Sequence, residues 1–369
     1  MNNQKIKIIF FHPYSSIGGA DLSIAKVINN LNNKYYSIDF ICIKRKKNTV
    51  SLNSYVNIYN LNSTRSIFGI LKFRKIIKEN LKKNYKKIII FSNQNFANIL
   101  SFVSIIGLGN KVKIIGYERN HISELSFYFD FKDKIKKIIL KTLIKLFYPK
   151  FDRIITNSKE SSNDLSQFIN SKVFTFYNLF KFQNIKKKRL NRNKFINILS
   201  IGRLEKQKDQ ITLLKAIKIV KNKVKIKLKI IGSGSQYATL KDFINNNNLR
   251  NEVKLLKENK DVSKFYLSSD LFILSSLYEG FPNVLIESII YNLPIISSNC
   301  KSGPREILSN SIVSNKFNIG SHRGLSNKIL YFTRNKKKFY KNNLILKKNL
   351  DKYNFKKTLE RYNKLFANL

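Results

Sequence analysis

The chain has 369 residues, 43% of them hydrophobic, with 70 Lys and Arg against 22 Asp and Glu and a formal charge of +48. Such a length exceeds one ordinary hydrophobic core and points to two domains, while the apolar content excludes a disordered chain. Two cysteines, Cys42 and Cys300, exclude a disulfide framework and a zinc site and fit a reducing cytoplasm.

In chain order, short β-branched runs alternate with helical patterns. The first series has strands at Ile6 to Phe11, Ile38 to Ile43, Lys87 to Phe91, Val112 to Gly116, Arg153 to Thr156 and Val173 to Tyr177. This is a βαβ series, which predicts a parallel sheet with helices on it. Within it, Phe131 to Phe147 is a basic amphipathic helix with Ile135, Ile138, Ile139, Thr142, Leu143 and Leu146 on one face. That stripe is expected to face its own sheet, leaving the lysines to touch an anionic membrane surface. The polar, basic stretch Lys181 to Lys194 lacks periodicity and reads as a linker. A second series follows, with strands at Ile196 to Ile201, Lys227 to Ile231, Val253 to Leu256, Leu271 to Leu274 and Pro294 to Ser297, and helices at Ile211 to Val220 and Tyr237 to Asn245. The expected domains are therefore 1–185 and 195–350, with the active site in the cleft between them and a last helix in 351–369.

The apolar stretch Ile8 to Phe11 before His12-Pro13 is too short for a signal peptide. The longest apolar stretch, Phe96 to Gly109, contains Asn and Ser, so no membrane span is expected. The expected location is cytoplasmic, with peripheral attachment to the inner face of the cell membrane left open. The basic residues are spread along every segment, and Lys, Asn and Ile abound together, as an A/T-rich coding sequence would produce. No reading module is present, and no specific nucleic acid is expected.

The most informative run is Ser275-Ser276-Leu277-Tyr278-Glu279-Gly280-Phe281-Pro282-Asn283-Val284-Leu285-Ile286-Glu287-Ser288, after the apolar Leu271 to Leu274. A strand ending in a Glu-Gly loop and followed by a Pro-opened helix lies at the carboxyl edge of a parallel sheet, where ligands bind. With Pro282 at the first helical position, the free amides of Asn283, Val284 and Leu285 and the positive end of the helix dipole would attract phosphate. Glu279 and Glu287 would then bracket a diphosphate with two hydroxyl-binding carboxylates, which is the layout a nucleotide sugar needs. No Asp-x-Asp pair and no metal-ligand spacing occur, so neither a metal nor any other cofactor is expected.

This run resembles the two-glutamate signature of the family-4 (group 1) glycosyltransferases, and the resemblance covers nearly the whole chain. It implies the α/β GT-B fold, two Rossmann-like domains facing across a cleft, with the last helix, Phe355 to Phe366, crossing back to the first. It also implies a retaining, metal-independent transfer from a nucleoside diphosphate sugar, a UDP-sugar by preference, to a saccharide or lipid-linked saccharide acceptor in surface polysaccharide assembly. Glu279 would contact donor-sugar hydroxyls and Glu287 the ribose, with Gly280, Phe281, Asn283, Val284 and Leu285 around the donor. In Gly202-Arg203-Leu204-Glu205-Lys206-Gln207-Lys208, Gly202 ends the strand while Arg203 and Lys208 would grip the diphosphate.

The resemblance also places a glycine pair, Gly232 and Gly234, beside the nucleotide, although tight-turn geometry explains such glycines without a ligand. In the first domain, Ser16-Ile17-Gly18-Gly19-Ala20-Asp21 resembles the family's glycine loop, with Gly19 facing donor diphosphate and acceptor and with Asp21 where Glu is commoner. His121, after the strand Val112 to Gly116, would sit near the anomeric centre. Glu306, in Ser302-Gly303-Pro304-Arg305-Glu306-Ile307, would buttress the donor site. Lys257 replaces a usual glycine beside the base. The rival readings are a basic nucleic-acid-binding protein and a sugar-nucleotide epimerase or phosphorylase of the same fold.

Overall fold

The structure, a computed structural model, describes residues 4–15, 18–45, 49–63, 66–182, 185, 195–257, 261–308 and 315–369. Most of the expected linker, Ser16 and Ile17 of the glycine loop, and residues 258–260 lie outside the described residues. The chain divides into two compact units, one of Met1–Phe180 with Tyr353–Leu369 and one of Lys181–Lys352. The second unit thus starts at Lys181 rather than at residue 195, and the last helix belongs to the first unit.

Unit 1 contains strands β1 (Ile6–Ser15), β2 (Tyr36–Arg45), β3 (Val56–Asn60), β4 (Ile88–Asn93), β5 (Val112–Glu118), β6 (Arg153–Thr156) and β7 (Val173–Thr175). They form one parallel sheet in the order β3-β2-β1-β4-β5-β6-β7. Successive side chains of a strand point to opposite faces, and both faces here are covered, which is why the strands read as continuous apolar runs. Ile9 and Phe11 pack on one face, with Phe73 and Ile77. Ile8 and Phe10 pack on the other, with Ile24, Val27 and the last helix, Phe355–Ala367, through Tyr362 and Phe366. The Phe366 ring lies 6.2 Å from Phe10 and 5.8 Å from Phe91, edge-on to both.

Unit 2 contains β8 (Ile196–Ile201), β9 (Ile226–Ile231), β10 (Val253–Leu256), β11 (Leu271–Leu274), β12 (Ile295–Ser298) and β13 (Lys316–Phe317). Its sheet is also parallel, in the order β10-β9-β8-β11-β12-β13. Strand order reverses between β8 and β11, and between β1 and β4 in unit 1. At such switch points the connections leave in opposite directions and open a crevice beyond the carboxyl ends.

Of the expected apolar stripe of the helix Phe131–Phe147, only Leu143 faces the core. Leu140, Leu143, Ile144 and Phe147 pack on the core, whereas Ile135, Ile138, Ile139 and Leu146 are exposed. Amphipathic spacing shows where apolar residues gather on a helix, not which side meets a neighbour, and this helix is apolar on two sides.

Candidate functional site

In unit 2 two connections leave the carboxyl edge at the switch point. After β8 the chain passes Gly202 and Arg203 into a short turn at Lys206–Lys208, and after β11 it runs through Ser275 to Pro282. The loops are stitched together by Gln207, a residue that sequence reasoning did not single out. Its carbonyl accepts from the Leu277 amide (2.8 Å), its side-chain amide donates to the Tyr278 carbonyl (2.9 Å), and its Oε1 accepts from Arg203 Nη2 (2.9 Å). Ser275 Oγ adds a bond to the Lys208 carbonyl (2.7 Å). The stitching brings Lys208 Nζ into a hydrogen-bonded ion pair with Glu279 Oε1, an oxygen that also accepts from Ser276 Oγ (2.7 Å). Glu279 is only 5% exposed, so its charge relies on these partners. Arg203 is exposed and Lys208 partly so, which leaves two cations on the solvent side of a buried carboxylate.

The helix after this loop is Asn283–Ile290, and Pro282 is its N-cap (φ −75°, ψ 101°) rather than its first helical residue. The Leu285 amide donates to the Pro282 carbonyl (3.0 Å) and its side chain is fully buried, so the expectation of an outward-pointing Leu285 amide is corrected. Asn283 and Val284, both partly exposed, hold the first turn. Glu287 is half-buried one turn on and accepts from Tyr266 Oη (2.8 Å), which fixes its rotamer. Phe281 is buried at 6% exposure and anchors the loop.

Two neighbouring loops hold the site in shape. The Gly280 carbonyl accepts from the Gly303 amide and from Ser302 Oγ, both at 2.7 Å. Ser302, fully buried, sits at φ 78°, a region that costs an L-residue about 1–3 kcal/mol and persists only where surrounding bonds enforce it. The Glu306 amide donates to the Ser302 carbonyl (3.3 Å), and its carboxylate lies 3.6 Å from Lys352. On the other side, a Cβ on Gly232 would lie 1.9 Å from the Gly202 carbonyl oxygen, and one on Gly234 2.4 Å from that of Leu204. These two glycines admit the β8 loop, which is reason enough for their presence. Glu205 ties the same loops through Ser235 Oγ (2.6 Å). Lys257 directly follows β10 at an exposed position, and Cys300 is a buried thiol pushed up to about 12 by desolvation and by the nearby Glu279 charge.

Unit 1 places Gly19 at the start of the helix Gly19–Ile28, behind Gly18 as N-cap. Asp21 accepts from the Gly18 amide (3.1 Å) and pairs with His12 Nε2 (2.9 Å). His121, the candidate for the anomeric centre, lies just after β5. Its ring is 1% exposed, Nδ1 accepts from the Ser123 amide (3.1 Å), and Nε2 lies 2.6 Å from Asp164. It caps a short helix through Nδ1, with the Asp164 carboxylate against its other ring nitrogen.

Beside it lies a buried polar network that the sequence reading missed. Arg119 Nε donates to Asn93 Oδ1 (2.8 Å) and Nη1 to Asn178 Oδ1 (2.8 Å), with the guanidinium 4.1 Å over the Tyr117 ring. Asn93 Nδ2 in turn meets His12 Nδ1 at 2.7 Å. The available signal was positional: His12, Asn93 and Arg119 lie within a few residues of the carboxyl ends of the neighbouring parallel strands β1, β4 and β5.

Next in this network, burial pushes the Glu118 carboxyl from its usual 4.5 up to about 7, against the lowering effect of the Tyr148 hydroxyl bond and backbone amides. Between those two values the folded chain keeps a proton that the unfolded chain has lost. Its contribution to stability is therefore complete below pH 4.5 and is lost as pH rises through about 7. Glu118→Gln should remove this slope, so the difference in thermal midpoint between wild type and variant should change across that window. Parallel profiles would show that Glu118 ionises normally.

Residues 181–354 match the family described as Glycosyl transferases group 1. An uncharacterized glycosyltransferase of Methanocaldococcus jannaschii is 33% identical over 64% of this chain and 60% of its own length. The N-acetylgalactosamine-N,N'-diacetylbacillosaminyl-diphospho-undecaprenol 4-alpha-N-acetylgalactosaminyltransferase of Campylobacter jejuni is 32% identical over 64% of this chain and 66% of its own length. The chain thus spans less than two thirds of the length of these two relatives. A crystal structure of Anabaena HepE in complex with UDP and glucose matches with a TM-score of 0.76 at 15% identity, over 98% of this chain and 100% of that one. At that identity the likeness establishes the fold, which is the two-unit α/β GT-B architecture.

Proposed function

We propose that this chain, whose residues 181–354 match the group 1 glycosyl transferases, moves a sugar from a UDP-sugar to a lipid-linked saccharide acceptor in surface polysaccharide assembly, with retention of anomeric configuration and without a metal. The observation that carries this reading is the meeting of Lys208 and Glu279, from separate strand ends, at the switch point of unit 2. A nucleoside diphosphate sugar offers each a better partner: phosphate oxygens for the ammonium and sugar hydroxyls for the carboxylate. Arg203 joins Lys208 on the diphosphate, and both stabilise the charge that grows on it as the glycosidic bond breaks. The Asn283 and Val284 end of the helix supplies the positive end of its dipole. Glu287, held by Tyr266, takes the ribose hydroxyls.

Glu279 orients the donor and is neither acid nor base in this scheme. The acceptor hydroxyl enters on the face from which the diphosphate leaves and passes its proton to the departing phosphate oxygen, and holding both reactants in register supplies much of the acceleration. We assign acceptor binding to unit 1, with Gly19 on its glycine loop. The Campylobacter enzyme's name includes a diphospho-undecaprenol acceptor, which supports the lipid-linked class and a peripheral position on the inner membrane face. Among the described residues no helix is long and apolar enough to cross a membrane.

The reading is tested by titrating UDP-, GDP- and ADP-sugars into wild type and Glu287→Ala. Wild type should bind a UDP-sugar, and Glu287→Ala should bind it about tenfold more weakly, the loss of a charge-assisted bond pair. Equal binding by both proteins, or none by wild type, would reject the assignment.

A further inference from the structure

The exposed side of the helix Phe131–Phe147 carries more apolar surface than a solvated helix needs. Phe131 is 73% exposed, Ile135 45%, Ile138 47%, Ile139 54% and Leu146 57%. At 3.6 residues per turn these positions and Thr142 fall within an arc of about 100°. Lys132 and Lys136 border that arc on one side, and Lys134, Lys141 and Lys145 on the other. The helix's one carboxylate, Asp133, lies across from the arc, bound to Lys137 at 2.8 Å.

An apolar strip with a lysine row along each edge matches one partner chemistry. The strip fits the acyl boundary of a bilayer, and long lysine stems can reach outward to place ammonium groups among anionic headgroups. A second copy of the chain would bring lysine rows against lysine rows. We propose that this face is a membrane-docking surface that lies in the interface of an anionic bilayer, with the helix axis parallel to the membrane plane. It deepens the reading of a lipid-linked acceptor, on which its usefulness rests, but docking itself needs no transfer activity.

The chain contains no tryptophan, so Phe131→Trp creates a single reporter in the full-length protein. Tyr237→Trp, at a 44% exposed site in unit 2, serves as control. With vesicles of phosphatidylcholine and phosphatidylglycerol, Trp emission from the Phe131→Trp protein should shift to the blue, and emission from the control should not. Phosphatidylcholine alone should produce little shift. Ile135→Asn/Ile138→Asn/Leu146→Asn should weaken partitioning about tenfold or more while leaving the thermal midpoint unchanged, because all three side chains are exposed.

Sedimentation with anionic vesicles without a blue shift would reduce the effect to the general charge of the chain and overturn the proposal. A dimer of wild type without lipid that the triple variant dissolves would assign the face to self-association and also overturn it. A blue shift in a protein that binds no nucleotide sugar would leave docking standing and reject the transferase reading.

Discussion

Lys208→Met should lower kcat/KM by about 10²–10³-fold, equivalent to about 2.7–4 kcal/mol of transition-state stabilisation, the usual cost of removing one donor aimed at developing charge. The ammonium has two tasks that the variant separates. Toward the substrate it meets the leaving diphosphate, and toward the protein it neutralises Glu279, whose carboxylate would otherwise keep only the Ser276 hydroxyl among the bonds described above. Lys208→Arg should recover part of the activity, because a guanidinium keeps the charge but not the compact geometry. Glu279→Gln alone should weaken both donor binding and kcat. In Lys208→Met/Glu279→Gln the loss should be well below the product of the single losses, since each single change leaves a stranded partner that the double change removes. Steady-state kinetics on the four proteins, with thermal midpoints measured in parallel, decide the matter. Additive losses would mean that Lys208 and Glu279 do not act as a pair, and a Lys208→Met enzyme within about threefold of wild type would remove Lys208 from the mechanism.

What could be read without coordinates follows from burial. β6, β8, β10 and β11 have the bounds expected from their apolar runs. By contrast β3 is an edge strand with four of its five residues exposed, and β13 has two residues, so neither produces a run. The ends of β8 and β11 were legible because Gly202-Arg203 and Ser275-Ser276 interrupt apolar sequence abruptly. Gln207, Ser276 and Ser302 were not: what they do depends on bonds between loops, and a bond such as Gln207 to Tyr278 joins residues 71 apart. For the helix Phe131–Phe147 the spacing was correct and the direction wrong, since Leu140, Leu143, Ile144 and Phe147 offered the sheet an equally good side.

Gly303→Ala should impair the enzyme from outside the reacting groups. A Cβ there would lie 2.5 Å from the Gly280 carbonyl oxygen, 2.6 Å from Pro282 Cδ and 2.7 Å from Phe281 Cα, which are backbone or ring atoms that cannot rotate away. Relief requires the 280–282 turn to move outward, which breaks the Gly303 to Gly280 bond and carries Glu279 and the start of the helix Asn283–Ile290 with it. Overpacking of this kind costs about 1–3 kcal/mol of stability. A displacement of about 1 Å at positioning groups costs on the order of 10²-fold in rate. The activity loss should therefore exceed what the fraction of unfolded enzyme explains at the assay temperature. Gly69→Ala is the matched control: its nearest neighbours would lie 3.7 Å away, so stability should rise slightly or stay level and activity should persist. If Gly303→Ala kept wild-type kcat/KM, the staple between Gly303 and Gly280 would have no part in holding Glu279. If it lost stability but kept activity per folded molecule, the turn would be yielding without moving the carboxylate, and the geometry on which the donor assignment depends would have to be carried by Ser276 and Lys208 alone.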